Sequence, residues 1–307
     1  MTTKIAYLGV IIIWSTTPLA IKWSSEGLGY LFGITSRMLL GLIVTVLIVH
    51  FLGLRIPWHR RAVQPYAAGG FGIYAAMNSV YWGAQYIPSG WVSVVFGLSP
   101  IITGAMAAAM LNEDALSRHR VLGIVLGFIG LFVVFSHGAS MGGKFLCGIV
   151  AILAGTSFHA LSAVLIKRID ANVGGFAITA GGLSFAVPLL LVTWMLAGGA
   201  MPSEFPLRAV ASIVYLGVVA SAIGFAMYYY ILRRMAVSRV SLIALITPVL
   251  ALLLGNLLNG ERLSAAIFVG TGCIVCGLVI YEFGPNMTAR LRNGSSLCRL
   301  ARSRADR

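Results

Sequence analysis

The chain has 307 residues, of which 59% are hydrophobic and 10% are charged, and its formal net charge is +14. Soluble domains are about 45–50% apolar, so this composition excludes a soluble protein and predicts one embedded in a lipid bilayer. The four cysteines are too few and too scattered for a disulfide framework or a metal site, and no cofactor is predicted.

Ten apolar runs follow one another along the chain, each long enough for a helix that spans the membrane. The predicted fold class is therefore all-α, an integral membrane protein whose consecutive helices are antiparallel neighbours. The tail, 284–307, is basic, and we expect it to be disordered or to lie on anionic lipid. The predicted transmembrane helices cover residues 4–23, 30–52, 64–87, 90–111, 119–137, 145–168, 174–198, 208–232, 237–258 and 263–283.

Lysine and arginine residues are concentrated in alternate linkers. Cytoplasmic loops are rich in these residues, so both termini are predicted to be cytoplasmic. The bias also explains the positive charge without a nucleic-acid partner. In this orientation five basic residues lie outside the cytoplasmic segments. Lys22, Lys144, Arg208 and Arg262 are on the outer side, and Arg37 is within a helix.

The second half of the chain repeats the first. Pro100 and Glu113 recur 148 residues later as Pro248 and Glu261. Further pairs are Trp14 with His159 and Lys22 with Lys167 at an offset of 145 residues, and Gly123 and Gly130 with Gly270 and Gly277 at 147.

Each predicted half, 1–137 and 145–283, holds five helices. Because five is an odd number, the second copy crosses the membrane in the opposite sense to the first. Such an inverted-topology repeat is common in secondary transporters, whose substrate site lies near the midplane where the halves meet.

These paired motifs resemble the EamA-type family of the drug/metabolite transporter superfamily over nearly the whole chain. The resemblance implies a ten-helix carrier of the bacterial inner membrane, often an exporter of amino acids or related metabolites, in which helices 5 and 10 do not line the cavity. The segment Ser24–Tyr30 is similar to the aromatic amino-acid exporter branch. The matching residues are Trp14, Ile21-Lys22, Arg37, Ser99-Pro100, Glu113, Gly123 and Gly130 in the first half, and Leu165–Arg168, Thr247-Pro248, Gly260–Arg262, Gly270 and Gly277 in the second.

Helix 3 carries a stripe of polar and aromatic residues. Asn78, Tyr81, Trp82 and Gln85 follow i, i+3, i+4, i+7 spacing and share one face, with Tyr74 one turn earlier. Such a face is costly against lipid, so it meets either a substrate cavity or a neighbouring helix. We predict that Tyr74, Asn78, Tyr81 and Trp82 bind substrate, with an interhelical seam as the alternative.

Helices 1, 4 and 9 each contain a proline within the apolar run. Pro18, Pro100 and Pro248 free the carbonyl four residues earlier and predict kinks that suit rocking of the two halves. The alternative is a static kink that serves packing. Trp14, one turn before Pro18, is predicted to face the central cavity.

His159 is the only histidine well inside a predicted span, and it occupies the position equivalent to Trp14. We expect a neutral imidazole that hydrogen-bonds the substrate or a neighbouring helix. Transport is then facilitated diffusion, and the alternatives are a proton-carrying role and plain packing of the imidazole. Arg37 has three open roles: it binds a substrate carboxylate, its side chain snorkels to the membrane surface, or it pairs with an acidic residue on the outer side. Glu113 and Glu261 are expected to complement the N-terminal dipoles of the helices that follow them.

No enzyme motif occurs in the sequence, so no catalytic residue is predicted. The leading interpretation is a secondary transporter that exports small metabolites, amino acids above all, by alternating access. The alternatives are a multidrug or nucleotide-precursor carrier of the same fold and, from another class, a membrane enzyme or receptor. The expected partners are a small-molecule substrate and the bilayer, and the chain is either a monomer or a homodimer.

The predicted topology is testable with reporter fusions. Fusions after residues 140 and 201 are expected to report an outer location, and a fusion after residue 286 an inner one, because the basic residues hold both termini in the cytoplasm. An outer location at 286 would contradict the ten-span model.

Overall fold

The computed structural model describes residues 2–111, 118–138, 143–235, 240, 243–261 and 263–281. Within these ranges the secondary structure is helical, with no β-strand, which confirms the predicted fold class. The helices are α1 (Thr3–Ser25), α2 (Tyr30–Phe51), α3 (Arg60–Ala84), α4 in two pieces (Ser89–Phe96 and Ser99–Leu111), α5 (Arg118–Gly138), α6 (Gly143–Ile169), α7 (Gly175–Leu196), α8 (Leu207–Tyr215, a π-helical turn Leu216–Gly224, and Phe225–Arg234), α9 (Ile243–Asn259) and α10 (Ala265–Tyr281).

Six of these helices, α1, α2, α4, α6, α7 and α8, are long and apolar enough to cross a membrane. Helices α5, α9 and α10 contain shorter apolar stretches. Helix α3 has 25 residues but is interrupted by polar side chains, and it packs in the middle of the bundle against α6 and α7. The chain is thus a multi-span membrane protein.

The packing of the helices repeats when the two halves are exchanged. Helix α1 packs against α8 and α9, and its counterpart α6 packs against α3 and α4. Lys22 Nζ donates to the carbonyl oxygen of Ile87 at 3.5 Å, and Lys167 Nζ donates to that of Leu232 at 3.2 Å. Both members of this second bond lie 145 residues after the first, so the repeat extends to individual contacts. We call the two ends of the bundle the Lys22 end and the Lys167 end.

Glycines bring α5 and α10 into backbone contact. A Cβ added at Gly123 would lie 2.5 Å from the carbonyl oxygen of Gly277, and one at Gly130 would lie 2.5 Å from that of Gly270. As the residue number rises along α5, the number of its partner falls along α10. The two equivalent helices are therefore antiparallel, as inverted topology requires. The glycines of α5 therefore serve close packing within the fold.

Two helices depart from the continuous spans that their hydrophobicity predicts. Helix α4 breaks at Gly97 and Leu98, immediately before Ser99-Pro100, because a proline cannot donate to the carbonyl four residues back. Helix α8 keeps its length but widens into a π-helix over Leu216–Gly224, which no sequence signal predicted. Pro18 and Pro248 lie inside helices that continue through them.

Glu261 joins the loop before α10 to the start of α4. Its carboxylate accepts hydrogen bonds from the backbone N–H of Ser89 at 2.8 Å, the Ser89 hydroxyl at 2.7 Å and the N–H of Gly90 at 3.2 Å. Asn259 Nδ2 adds a bond of 3.0 Å. The expectation that Glu261 serves the helix that follows it is therefore wrong, because its carboxylate caps α4. Glu113 lies outside the described residues.

This cap makes stability depend on pH. Burial raises the pKa of the Glu261 carboxyl, but the hydrogen bonds from Ser89, Gly90 and Asn259 outweigh burial and leave the pKa below its ordinary value. A carboxyl whose pKa is lower in the folded protein stabilises it above the ordinary pKa of ~4.3, and that stabilisation is lost as the pH falls through the folded value.

We therefore expect Glu261→Gln to lower the melting temperature of the purified protein by about 2 °C or more at pH 7. The difference from wild type should shrink as the pH falls from about 4.3 through the lower pKa of the folded carboxyl, below which both side chains are uncharged. Glu204→Gln, at an exposed position between α7 and α8, is the control. A pH-independent difference would show that the charge of Glu261 contributes nothing.

Candidate functional site

A cavity with an empty volume of about 570 Å³, which includes space open to solvent, lies between the two halves of the bundle. Its walls come from α1, α2, α3, α4, α6, α8 and α9, and among the described residues α5 and α10 contribute nothing. The lining residues are Trp14, Thr17, Pro18, Ile21, Arg37, Met77, Val80, Val92, Ser93, Phe96, His159, Phe225 and Thr247.

The cavity extends from the Lys22 end to the middle of the bundle. Val92 lies three residues after the start of α4, and Trp14 lies eleven residues before the end of α1, or ~16 Å by helical rise. Trp14, Thr17, Pro18 and Ile21 form one face of α1 through their helical spacing. The deepest part of the cavity thus reaches the midplane, where inverted-repeat carriers hold their substrates.

An aromatic cluster closes the deep end of the cavity. The ring centroids of Trp14 and His159 are 5.5 Å apart, and each ring also packs on Tyr228, at 5.0 and 5.2 Å. Phe96 lies 6.3 Å from His159. These side chains come from α1, α4, α6 and α8, so the cluster joins both halves. Tyr228 is buried and stands between the cavity and the Lys167 end of α8.

Arg37 lies on the opposite side of the cavity, in α2, and is only 2% exposed. Its Nε donates to Ser221 Oγ at 3.0 Å, and its Nη1 donates to the hydroxyl of Tyr81 at 3.4 Å. Ser24 Oγ lies 3.3 Å from the same hydroxyl. Neutral oxygens thus hold the guanidinium, and no carboxylate of a described residue pairs with it.

The π-helical turn of α8 presents Ser221 to Arg37. The backbones of α2 and α8 approach closely here, since a Cβ added at Gly41 would lie 2.7 Å from Ser221 Cβ. Gly41 is one turn after Arg37, so the side chain of any other residue would separate the two helices. π-Helical turns occur often at functional sites. In this case the turn places the Ser221 hydroxyl where it holds the Arg37 guanidinium in the wall of the cavity.

Four of the predicted binding residues lie on α3, and none of them lines the cavity. The hydroxyl of Tyr74 lies 2.8 Å from Thr193 Oγ1, and Asn78 Nδ2 donates to the carbonyl oxygen of Tyr74 at 3.2 Å. Trp82 packs on Tyr86 with ring centroids 5.0 Å apart. Tyr81 is buried and supports Arg37. Their binding of substrate stays a prediction, and α3 reaches the cavity through Met77 and Val80.

The structure brings Trp14 and His159, which occupy equivalent positions in the repeat, together in the lining of the cavity. The sequence leaves the role of Arg37 open and does not predict Ser221. An arginine near a helix end is equally consistent with snorkelling, and a serine in an apolar run carries no signal of its own. Of the predicted hinge residues, only Pro18 lines the cavity, while the kink roles of Pro100 and Pro248 stay predictions.

A second contact joins the halves at the Lys22 end. Arg208 at the start of α8 forms an ion pair with Glu26 after α1, its Nε donating to Oε2 at 3.0 Å. The Arg208 guanidinium carbon lies 5.0 Å from the centre of the Trp23 ring. Trp23 Nε1 in turn donates to Asn259 Oδ1 at 3.0 Å. These contacts link α1, α8 and α9 at the Lys22 end of the bundle.

The model of the EamA-like transporter family matches residues 2–136 and 146–282. The chain belongs to the EamA-like transporter family. The two matched stretches cover nearly all of the ten helices, one stretch for each half of the bundle.

Other members of the family are similar over most of their length. An uncharacterized inner membrane transporter of Escherichia coli K12, YedA, is 27% identical over 91% of this chain and 90% of its own. A protein of Streptantibioticus cattleyicolor, named a probable terminal-alkyne amino-acid exporter, is 25% identical over 88% of this chain and 90% of its own. A solved crystal structure with 20% identity superposes with a TM-score of 0.68, covering 92% of this chain and 97% of that one, which shows the same fold.

The position of the cavity is testable by cysteine labelling. In a variant whose four cysteines are replaced by alanine, Ser93→Cys and Thr247→Cys are expected to react with a membrane-impermeant thiosulfonate, because both positions line the cavity. Asn78→Cys is expected to react at least about tenfold more slowly, since Asn78 does not line the cavity and its side chain donates to the Tyr74 carbonyl oxygen of its own helix. Equal labelling of Asn78→Cys would move the substrate path to α3.

Proposed function

We propose that the protein is a secondary transporter that exports small metabolites, with amino acids and related molecules as its substrate class, across the bacterial inner membrane. The observation that carries the proposal is the mostly apolar cavity at the interface of the inverted halves, blocked on one side by the cluster of Trp14, His159 and Tyr228. A channel would need a continuous path, whereas a carrier needs a site that is closed on at least one side at any time.

The geometry supports alternating access by rocking of the halves. The contacts that close the bundle on its two sides join helices from different halves: the Arg208–Glu26 pair at the Lys22 end, and the aromatic cluster near the midplane. Rigid movement of one half against the other can break one set while the other persists. Because the Lys167 end is predicted to be cytoplasmic, the cavity lies in the outer part of the bundle.

The lining of the cavity supports transport without obligatory coupling to protons. Coupled carriers hold a carboxylate or histidine in mid-membrane, and His159 is the one such residue among the described residues that line this cavity. Its ring packs between three aromatic rings, which suits a neutral imidazole that shapes the site. We therefore propose facilitated diffusion down the metabolite gradient, by a carrier rather than an enzyme.

Counterflow in liposomes tests the function. Wild-type protein is expected to exchange labelled amino acids from a mixed panel, and Trp14→Ala and His159→Ala to lose about tenfold or more of the exchange rate, because each opens the aromatic cluster. Trp58→Ala, at an exposed position, is the matched control, because it also removes an indole side chain but not one that lines the cavity.

An imposed pH gradient tests the energy source in the same liposomes. No uphill transport is expected from the gradient alone. Uphill transport that His159→Ala abolishes, while counterflow persists, would establish proton coupling at His159. Absence of exchange for every compound in the panel would contradict the proposed substrate class.

A further inference from the structure

The charge of the cavity is unbalanced. Arg37 is the one lysine, arginine or carboxylate among the described residues that line it, and an arginine side chain keeps its positive charge in proteins. The acidic residues in the described ranges are Glu26, which pairs with Arg208, Glu261, which caps α4, and Asp170 and Glu204 in linkers. The described residues of the lining therefore carry one net positive charge in surroundings of low polarity.

The hydrogen bonds of Arg37 leave donors free for a ligand. A guanidinium has five N–H groups. Nε–H donates to Ser221 and one Nη1–H to Tyr81, so three N–H groups have no acceptor among the described residues. Because Ser221 and Tyr81 hold Nε and Nη1, the orientation of the planar group is fixed, and the remaining N–H groups lie on Nη1 and Nη2, which form its outer edge. Two parallel N–H groups on such an edge match the two oxygens of a carboxylate.

From this arrangement we infer that Arg37 binds the carboxylate of the substrate, and that the site selects organic monoanions: N-acylated amino acids or the corresponding 2-oxo acids over zwitterionic amino acids. This inference rests on the proposed function and narrows its substrate class. The apolar and aromatic walls receive the side chain of the ligand, and the carboxylate neutralises Arg37.

The same lining acts against an ammonium group. In a zwitterionic amino acid the ammonium lies within a few ångströms of the carboxylate and would enter the cavity beside Arg37. No carboxylate of a described lining residue is present to receive it. An ammonium would therefore be buried next to a like charge without a counter-ion, which costs more than the burial of a neutral N-acyl group.

Four ligands that share a benzyl side chain distinguish the effect of the carboxylate from that of the ammonium. They are N-acetylphenylalanine (an anion), phenylalanine (a zwitterion), phenylalaninamide (a cation) and N-acetylphenylalaninamide (neutral). Counterflow is measured in liposomes, and binding by thermal stabilisation of the purified full chain. Wild-type protein is expected to exchange the anion about tenfold or more faster than the zwitterion, and the two amides at background rates.

The role of Arg37 is tested with three variants. Arg37→Gln is expected to lose the preference for the anion and about tenfold or more of its exchange rate, because a charged hydrogen-bonded pair is removed. Arg37→Lys keeps the charge without the planar fork and should retain the preference with a weaker affinity. Arg60→Gln, at the exposed start of α3, is the matched control and should behave as wild type.

The outcomes separate this inference from the proposed function. Exchange of phenylalanine as fast as its N-acetyl form, or a preference that survives Arg37→Gln, would overturn the inference and leave the transporter intact. Arg37-dependent thermal stabilisation by the anion without any exchange would support the binding site and contradict transport. If the wild-type protein neither exchanges nor binds any of the four ligands, the inference is wrong.

Discussion

Close backbone contact between helices of opposite halves is the constraint on which the rest of the structure depends. In a bilayer, apolar side chains gain little by leaving lipid for one another, so association relies on tight packing at small residues. A Cβ added at Gly83 would lie 2.7 Å from the carbonyl oxygen of Gly148, and one at Gly70 would lie 2.8 Å from that of Gly182. These contacts hold α3 against α6 and α7, leaving the larger side chains of the neighbouring helices to border the cavity.

The tight packing also explains how a charged side chain is kept near the middle of the bundle. Arg37 reaches Ser221 only because α2 and α8 touch at Gly41, and Tyr81 holds the guanidinium from α3. Neutral hydroxyls fix the orientation of the cation without cancelling its charge. A carboxylate in their place would have made a stable ion pair and removed the attraction for an anion.

The sequence predicts the fold well because its strongest signals are long and repeated. Apolar runs, alternate basic linkers and the similar offsets between halves each constrain the same arrangement, and the repeat pairs Trp14 with His159, which both line the cavity. Periodicity also placed Asn78 and Trp82 on one face of α3, but it does not say what that face meets. In the structure Asn78 donates to its own helix and Trp82 packs on Tyr86. The π-helical turn had no signal, since widening a helix changes its hydrogen bonds and not its hydrophobicity.

The two halves are not perfect copies, and the offsets locate the difference. From Lys22 to Ile87 the counterparts lie 145 residues later, whereas Pro100 has its counterpart 148 residues later. The connection between α8 and α9 is therefore three residues longer than the one between α3 and α4. A difference in length between equivalent connections makes the two ends of the bundle unequal. Any two arrangements of the halves that exchange those ends would therefore differ in free energy.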